Sequence, residues 1–186
     1  MGADEFCDLS AADLRRLYAA RQLSPVEVAE GLLERIEAVD ATLNAFVTVS
    51  HDQALAQAKA AEKLFDGTAD PPPLAGIPFT LKDLTATDGI RTTRGSLLYK
   101  DWIPDYNAPL AQRMLDAGGV LLGKTNTPEL GWKGDSTNRV AGSTHNPWQH
   151  GRSPGGSSGG AAASVAVGLG AMAQGTDGAG SIRIPS

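Results

Sequence analysis

The stretch between positions 151 and 185 reads Gly151-Arg-Ser-Pro-Gly-Gly-Ser157-Ser-Gly-Gly160 and, after an alanine-rich run, Gly175-Thr-Asp-Gly-Ala-Gly-Ser181-Ile-Arg-Ile-Pro185. Two of its serines, Ser157 and Ser181, lie among glycines and are 24 residues apart. Because glycine has no Cβ, the backbone at such positions can approach a ligand closely. A serine there can expose its hydroxyl while neighbouring N–H groups point at the same spot, which is the arrangement that acyl transfer needs.

The composition is that of an ordinary soluble globular protein. The chain has 186 residues, of which 41% are hydrophobic and 20% are charged, and this is enough for one domain with a sizeable core. The net charge of −5 argues against a nucleic-acid surface or an anionic membrane as partner. Cys7 is the one cysteine, so no internal disulfide can form. With no signal peptide and no membrane-length apolar run, we expect a cytoplasmic protein.

The first part of the chain, residues 1–66, is predicted to be helical. Its clearest signal is Ser24-Pro25-Val26-Glu27, which has the N-cap serine, first-turn proline and third-position glutamate of a helix start. Apolar residues then recur on one face as far as Leu43. Shorter helices are predicted to end near Gln22 and to span 52–65, with a short strand over 45–49 between helices.

The second part, residues 74–186, follows a proline linker at 71–73 and is predicted to hold the catalytic core. Strands are expected at 77–81 and 120–122 with a helix over 109–117 between them, which indicates a βαβ-like unit with parallel strands. Pro78 limits the first strand to a start or an edge. Lys82 comes where that strand ends. A helix over 161–167 and a strand over 171–174 separate the two serines, while 84–107 and 131–156 are expected to be loops.

Three readings of the serine-rich segment compete with acyl transfer. The segment matches the Gly-x-Ser-x-Gly nucleophile elbow, but no strand precedes it and no histidine follows Ser157, as that elbow requires. It lacks the lysine of a phosphate-binding loop, and a long loop precedes its helix instead of the strand of a dinucleotide fingerprint. A purely structural turn stays open. If the segment is catalytic, a partly desolvated Lys82 could act as base for Ser157 and Ser181, whereas an exposed lysine would merely be solvated.

The residues around these three positions match a known family. The chain resembles the amidase signature family, which hydrolyses amides with a serine–cis-serine–lysine triad. The resemblance rests on Gly76-Ile-Pro-Phe-Thr-Leu-Lys82-Asp83, on Gly123-Lys-Thr-Asn126, on the Gly-Gly-Ser-Ser-Gly-Gly run at 155–160 and on 175–185. It implies an α/β fold with a mixed β-sheet flanked by helices, here only the N-terminal part of the amidase signature domain.

The resemblance also implies roles for individual residues. Ser181 would be the nucleophile, Ser157 the bridging serine after a cis peptide bond, and Lys82 the neutral base. Backbone N–H groups of Ser181 and of three preceding residues would form the oxyanion hole, and three further side chains would support the site. The oxyanion-hole residues are Gly178, Ala179 and Gly180, and the supporting residues are Ser158, Asp177 and Arg183. Ala179 replaces a glycine that is frequent in the family.

The resemblance predicts hydrolysis of a small-molecule amide through an acyl-enzyme, without metal or cofactor. Esters and carbamates stay open as substrates, and so does a homodimer. One alternative is the amidase subunit of a glutamyl-tRNA amidotransferase, which usually carries glutamine where this chain has Ile184. Another is an inactive truncated module, because family domains are far longer and this chain ends five residues after Ser181. We expect the isolated 186 residues to be unstable or inactive.

Overall fold

The computed structural model describes residues 6–67 and 70–186. The first five residues of the predicted helical part therefore lie outside the described residues. The helices are α1 (Ala11–Ala19), α2 (Pro25–Leu43), α3 (His51–Leu64), α4 (Pro109–Asp116) and α5 (Gly159–Ala166). The strands are β1 (Phe46–Val49), β2 (Pro78–Lys82), β3 (Val120–Thr125), β4 (Thr137–Asn138), β5 (Gly142–Ser143) and β6 (Met172–Gln174).

The longest helix, α2, begins where its cap predicts. The Ser24 hydroxyl accepts from the backbone N–H of Val26, and the Glu27 carboxylate accepts from the backbone N–H of Ser24, at 2.9 Å each. This capping box satisfies N–H groups that have no partner within the helix. The helix ends at Leu43 and is capped by Asn44, whose left-handed conformation turns the chain into β1.

Four strands form a mixed sheet in the order β1-β3-β2-β6. Strand β2 pairs in parallel with both β3 and β6, whereas β1 pairs antiparallel with β3. The unit β2–α4–β3 confirms the predicted parallel connection. Pro78 is the first residue of β2, where its missing N–H costs no ladder bond, so this strand can lie in the middle of the sheet.

Two apolar clusters pack on the sheet. The larger joins α1, α2 and α3 to β3 and includes Leu33, Ile36 and Leu122. The smaller lies under α4 and includes Phe79 and Leu121. The predicted α/β class, with a mixed sheet flanked by helices, is confirmed. Within residues 6–67 and 70–186, no helix combines the length and apolar character needed to cross a membrane.

The segment 131–156, predicted as a structureless loop, contains the short antiparallel hairpin of β4 and β5. Its turn is built by Asn138, whose side-chain oxygen accepts from the backbone N–H groups of Val140 and Ala141 at 2.8 Å each. The prediction missed this hairpin because two-residue strands have no alternating pattern, and side-chain bonds shape the turn.

Candidate active site

Lys82 is the last residue of β2, at the end of the sheet where β3 and β6 also terminate. The residue is fully buried. Gln174 at the end of β6 accepts from the Lys82 backbone N–H at 3.1 Å and from the Thr85 hydroxyl at 2.9 Å. The carboxyl ends of parallel strands are where such folds place their ligand sites. Gln174 holds the chain there at Lys82 and at Thr85, three residues later.

The Lys82 amine lies in a cage of three hydroxyl groups. Nζ donates to Ser157 Oγ at 2.6 Å, to Ser158 Oγ at 3.0 Å and to Thr176 Oγ1 at 2.8 Å. Burial lowers the pKa of Lys82 to about 8, while the nearby Asp177 carboxylate opposes the shift by favouring the charged form. Because a hydroxyl can donate as well as accept, this cage can hold the lysine either charged or neutral.

Ser157 comes directly before helix α5 and follows a cis peptide bond with Gly156, as the resemblance implied. Glycine is required beside it because a Cβ on Gly156 would lie 1.9 Å from the Asp135 carbonyl oxygen. Within α5, a Cβ on Gly160 would lie 2.4 Å from the backbone nitrogen of Asn126. These close approaches hold Ser157 and the start of α5 against the sheet.

Ser158 joins the two serine-bearing segments. Its backbone N–H donates to the Ser181 carbonyl at 3.0 Å. Its hydroxyl accepts from the Thr176 backbone N–H at 3.2 Å and donates to the Thr176 carbonyl at 3.3 Å. Ser158 therefore touches Lys82 itself and holds the loop that follows β6 beside it.

Ser157 and Ser181 line one cavity of about 350 Å³. Apolar side chains of Leu84, Leu130, Trp132 and Ile184 also line it, together with Thr176 and Lys133. Among the hydrogen bonds of the described residues, none joins Ser157 Oγ to Ser181 Oγ. A neighbouring cavity of about 380 Å³ lies on the α5 side and is lined by Ser158, but not by either of these two serines.

Asp177 organises the loop that carries Ser181. Its carboxylate pairs with the Arg183 guanidinium at 2.8 Å and 3.0 Å. It also accepts from the backbone N–H groups of Gly180 at 2.7 Å and of Ile182 and Arg183 at 3.1 Å each. The bonds from Arg183 hold the pKa of Asp177 well below its usual range.

The residues whose backbone N–H groups are predicted to form the oxyanion hole differ from one another in exposure and hydrogen bonding. Gly178 and Ala179 are exposed and line the cavity, and Ser181 lines it too. Gly180 is buried, and its N–H is engaged by Asp177. An oxyanion role for the Gly180 N–H would therefore require that bond to open.

Two residues of this site, Thr176 and Gln174, were missed by sequence reasoning. A single threonine or glutamine near a glycine-rich loop has no diagnostic spacing, and only the position of Thr176 directly after Gly175 was a signal. Among residues 6–67 and 70–186, no cluster of three histidine, cysteine or acidic side chains could hold a metal ion.

Comparison with known proteins places these features in a family. The family model described as Amidase matches residues 27–186. An acylamidase of Rhodococcus erythropolis is 48% identical over 178 residues, which are 96% of this chain and 37% of that protein. A glutamyl-tRNA(Gln) amidotransferase subunit from Acidothermus cellulolyticus is 45% identical over 177 residues, covering 95% of this chain and 35% of that protein.

A solved structure also shows this similarity to amidases. The native peptide amidase from Stenotrophomonas maltophilia superposes with a TM-score of 0.91 at 35% identity, covering 97% of this chain and 38% of that one. This chain thus spans a little over a third of the length of the relatives it matches. The sequence, the sheet and the segments around Lys82, Ser157 and Ser181 all agree with one conclusion: the chain belongs to the amidase family.

Proposed function

We propose that the protein hydrolyses carboxylic amides of small molecules, with Ser181 as nucleophile, Ser157 as bridging serine and Lys82 as base. The observation that carries this proposal is the fully buried Lys82 amine, 2.6 Å from Ser157 Oγ and bonded only to hydroxyl groups. A structural lysine in a protein interior is normally paired with a carboxylate. A lysine held by hydroxyls is instead suited to exchanging a proton with them.

In the first step, Ser181 Oγ attacks the amide carbonyl carbon. Its proton passes to Ser157 Oγ, and the Ser157 proton passes to Lys82 Nζ, so that lysine becomes charged. For this transfer the Ser181 hydroxyl must meet the Ser157 hydroxyl across the cavity that both line. The leaving nitrogen receives a proton along the same path in reverse, the C–N bond breaks, and an acyl-enzyme remains on Ser181.

The negative charge on the carbonyl oxygen needs backbone donors. Gly178, Ala179 and Ser181 are the candidates, because they line the cavity and the Gly180 N–H is bound to Asp177. In the second step, water attacks the acyl-enzyme after giving a proton to Lys82 through Ser157. The acid is released, the proton returns to Ser181, and no atom of the protein is consumed.

The acylamidase and peptide amidase relatives support amide hydrolysis as the chemistry. A second candidate function is that of a glutamyl-tRNA amidotransferase subunit, and its support is an identity of 45%, close to the 48% of the acylamidase. Against it, Ile184 lines the cavity beside Ser181 and gives this wall an apolar side chain. An apolar side chain at this position favours an apolar acyl group over the carboxamide side chain of glutamine.

Labelling with a fluorophosphonate tests the assignment. We expect the full-length protein to be labelled, and Ser181→Ala to abolish the label. Ser157→Ala and Lys82→Ala should slow it by about 100-fold or more, the usual contribution of general base catalysis. Ser143→Ala, in the β4–β5 hairpin and outside the cavity of Ser157 and Ser181, is the matched control and should label at the normal rate.

The same preparations are then assayed with panels of anilides, primary amides, esters, carbamates and glutamine. Turnover of amides with loss in Ser181→Ala supports the proposal. Turnover of glutamine alone would favour the amidotransferase function. A folded full-length protein that neither labels nor hydrolyses any member of the panels would overturn both and leave an inactive module.

A further inference from the structure

A second lysine, Lys124 on β3, is as deeply buried as Lys82 and has no part in the proposed mechanism. It is the register partner of Leu81. Because successive side chains of a strand alternate in direction, Lys124 and Lys82 leave the sheet on opposite faces. Nζ of Lys124 donates to the Thr85 carbonyl and, at 2.9 Å each, to the hydroxyls of Thr87 and Thr92.

The partners of Lys124 differ in kind from those of Lys82. A carbonyl oxygen only accepts, so the bond to Thr85 always requires an N–H of the lysine. Three acceptors use all three hydrogens of an ammonium group. Asp83 is fully buried nearby and supplies the compensating negative charge, and its carboxylate is itself held by the backbone N–H and hydroxyl of Thr93. Burial lowers the pKa of Lys124 to about 8 and Asp83 opposes that shift, while the three hydrogen bonds fix the position of its amine.

The Thr85 carbonyl belongs to the turn that directly follows Lys82. The Thr85 backbone N–H donates to the Lys82 carbonyl at 2.9 Å. The Thr85 hydroxyl donates to Gln174, which also accepts from the Lys82 backbone N–H. The turn therefore holds the Lys82 carbonyl directly and is joined to the Lys82 N–H through Gln174. Leu84, inside the turn, lines the cavity of Ser157 and Ser181.

We propose that Lys124 is a positioning residue for the reaction, whose side-chain amine holds the turn from Lys82 to Thr85 so that the Lys82 amine points at Ser157. This inference rests on the proposed function, because it assigns Lys124 an effect only through Lys82. Lys124 is not expected to touch the substrate, since its bonds all go to the far side of that turn.

A double-mutant cycle tests the inference in the full-length protein. Lys124→Met removes the charge and all three donors while keeping the length of the side chain. We expect it to slow fluorophosphonate labelling of Ser181 by about 100-fold, the cost of misplacing a catalytic group by about 1 Å. In the Lys82→Ala background, Lys124→Met should have no further effect, because the amine that it positions is already absent.

The controls separate positioning from general damage to the fold. Ser50→Ala removes another buried side-chain bond to β3, from Ser50 Oγ to the Leu121 carbonyl at 2.7 Å, and should leave the labelling rate unchanged at temperatures where the protein is folded. If Lys124→Met does not fold, Thr87→Val with Thr92→Val weakens the grip on Lys124 with little change of volume. This pair should slow labelling by about tenfold with Lys82 present, and not at all in Lys82→Ala.

The outcomes are distinct. An equal loss of rate in both Lys82 backgrounds would make Lys124 merely structural and overturn the inference. An unchanged rate in folded Lys124→Met would also overturn it. If Lys82→Ala alone labels at the normal rate, the proposed function itself fails. The Lys82→Ala variant is therefore measured first, before any variant of Lys124.

Discussion

The proposed amide hydrolysis should slow on the acid side of pH 8, because only the neutral form of Lys82 can accept a proton. Burial lowers the pKa of this lysine from 10.5 to about 8. At pH 7 the neutral fraction is then about one tenth, compared with about three in ten thousand for an unshifted lysine, a gain of roughly 300-fold. The value of kcat/KM should therefore drop about tenfold per pH unit below pH 8 and level off above it.

A substitution of Asp177 tests how far charge near Lys82 sets the pH of this acid limb. Its carboxylate favours the charged form of Lys82 and so raises the pKa of the lysine against the effect of burial. Asp177→Asn removes that charge, which lowers the pKa further and moves the acid limb to lower pH, whatever happens to the plateau. Asp116→Asn, on the exposed end of α4, removes a remote carboxylate and should leave the limb in place.

The assay is the initial rate with the best amide of the panel, at concentrations well below KM, between about pH 5.5 and 9.5 at constant ionic strength. Under these conditions kcat/KM reports the free enzyme. A rate that is constant between pH 6 and 9 would refute a titrating Lys82 base. A limb that is present but stays at the same pH in Asp177→Asn would refute the electrostatic link between the two residues.

Two further predictions concern stability. Burial lowers the pKa of both Lys82 and Lys124 to about 8 in the fold, so the unfolded chain binds more protons than the folded chain between pH 8 and 10.5. The free energy of unfolding, measured by urea denaturation, should therefore rise from about pH 8 to 9.5. A fall over this range would contradict the burial of these amines. Gly160→Ala would place a Cβ 2.4 Å from the Asn126 backbone nitrogen and should lower the free energy of unfolding by about 3 kcal/mol. Gly134→Ala is the control, because its Cβ would make an ordinary contact of 3.5 Å and should change the free energy of unfolding little. Equal values for the two variants would show that the close approach at Gly160 is unimportant.

Local signals in the sequence were enough for much of the fold. The cap at Ser24 and Pro25 predicted the start of α2, and the order of strand, helix and strand around α4 predicted the parallel pairing of β2 with β3. The two glycine-bounded serines, with Lys82 at a strand end, indicated which segments meet. These predictions succeeded because each depends on neighbours in the chain or on the family motif.

The rest depends on contacts between distant segments. Nothing in the pattern around Thr176 or Gln174 indicates that the first reaches the Lys82 amine and the second its backbone, since 94 and 92 residues separate them from it. Lys124 lies in an apolar strand, and the threonine hydroxyls that accept from its amine lie 37 and 32 residues earlier in the chain. The engagement of the Gly180 N–H by Asp177 likewise follows from the loop conformation.

The hydroxyl cage around Lys82 has a consequence for the proposed proton relay. In the proposed mechanism, acylation and deacylation each send a proton to Lys82 and then back through the same atoms. An imidazole relay depends on its ring keeping one tautomer, but each hydroxyl of Ser157, Ser158 and Thr176 reverses its polarity by rotating one O–H bond. The direction of proton transfer can therefore reverse while the heavy atoms stay in place. A rigid, densely packed scaffold is then compatible with a reversible proton path.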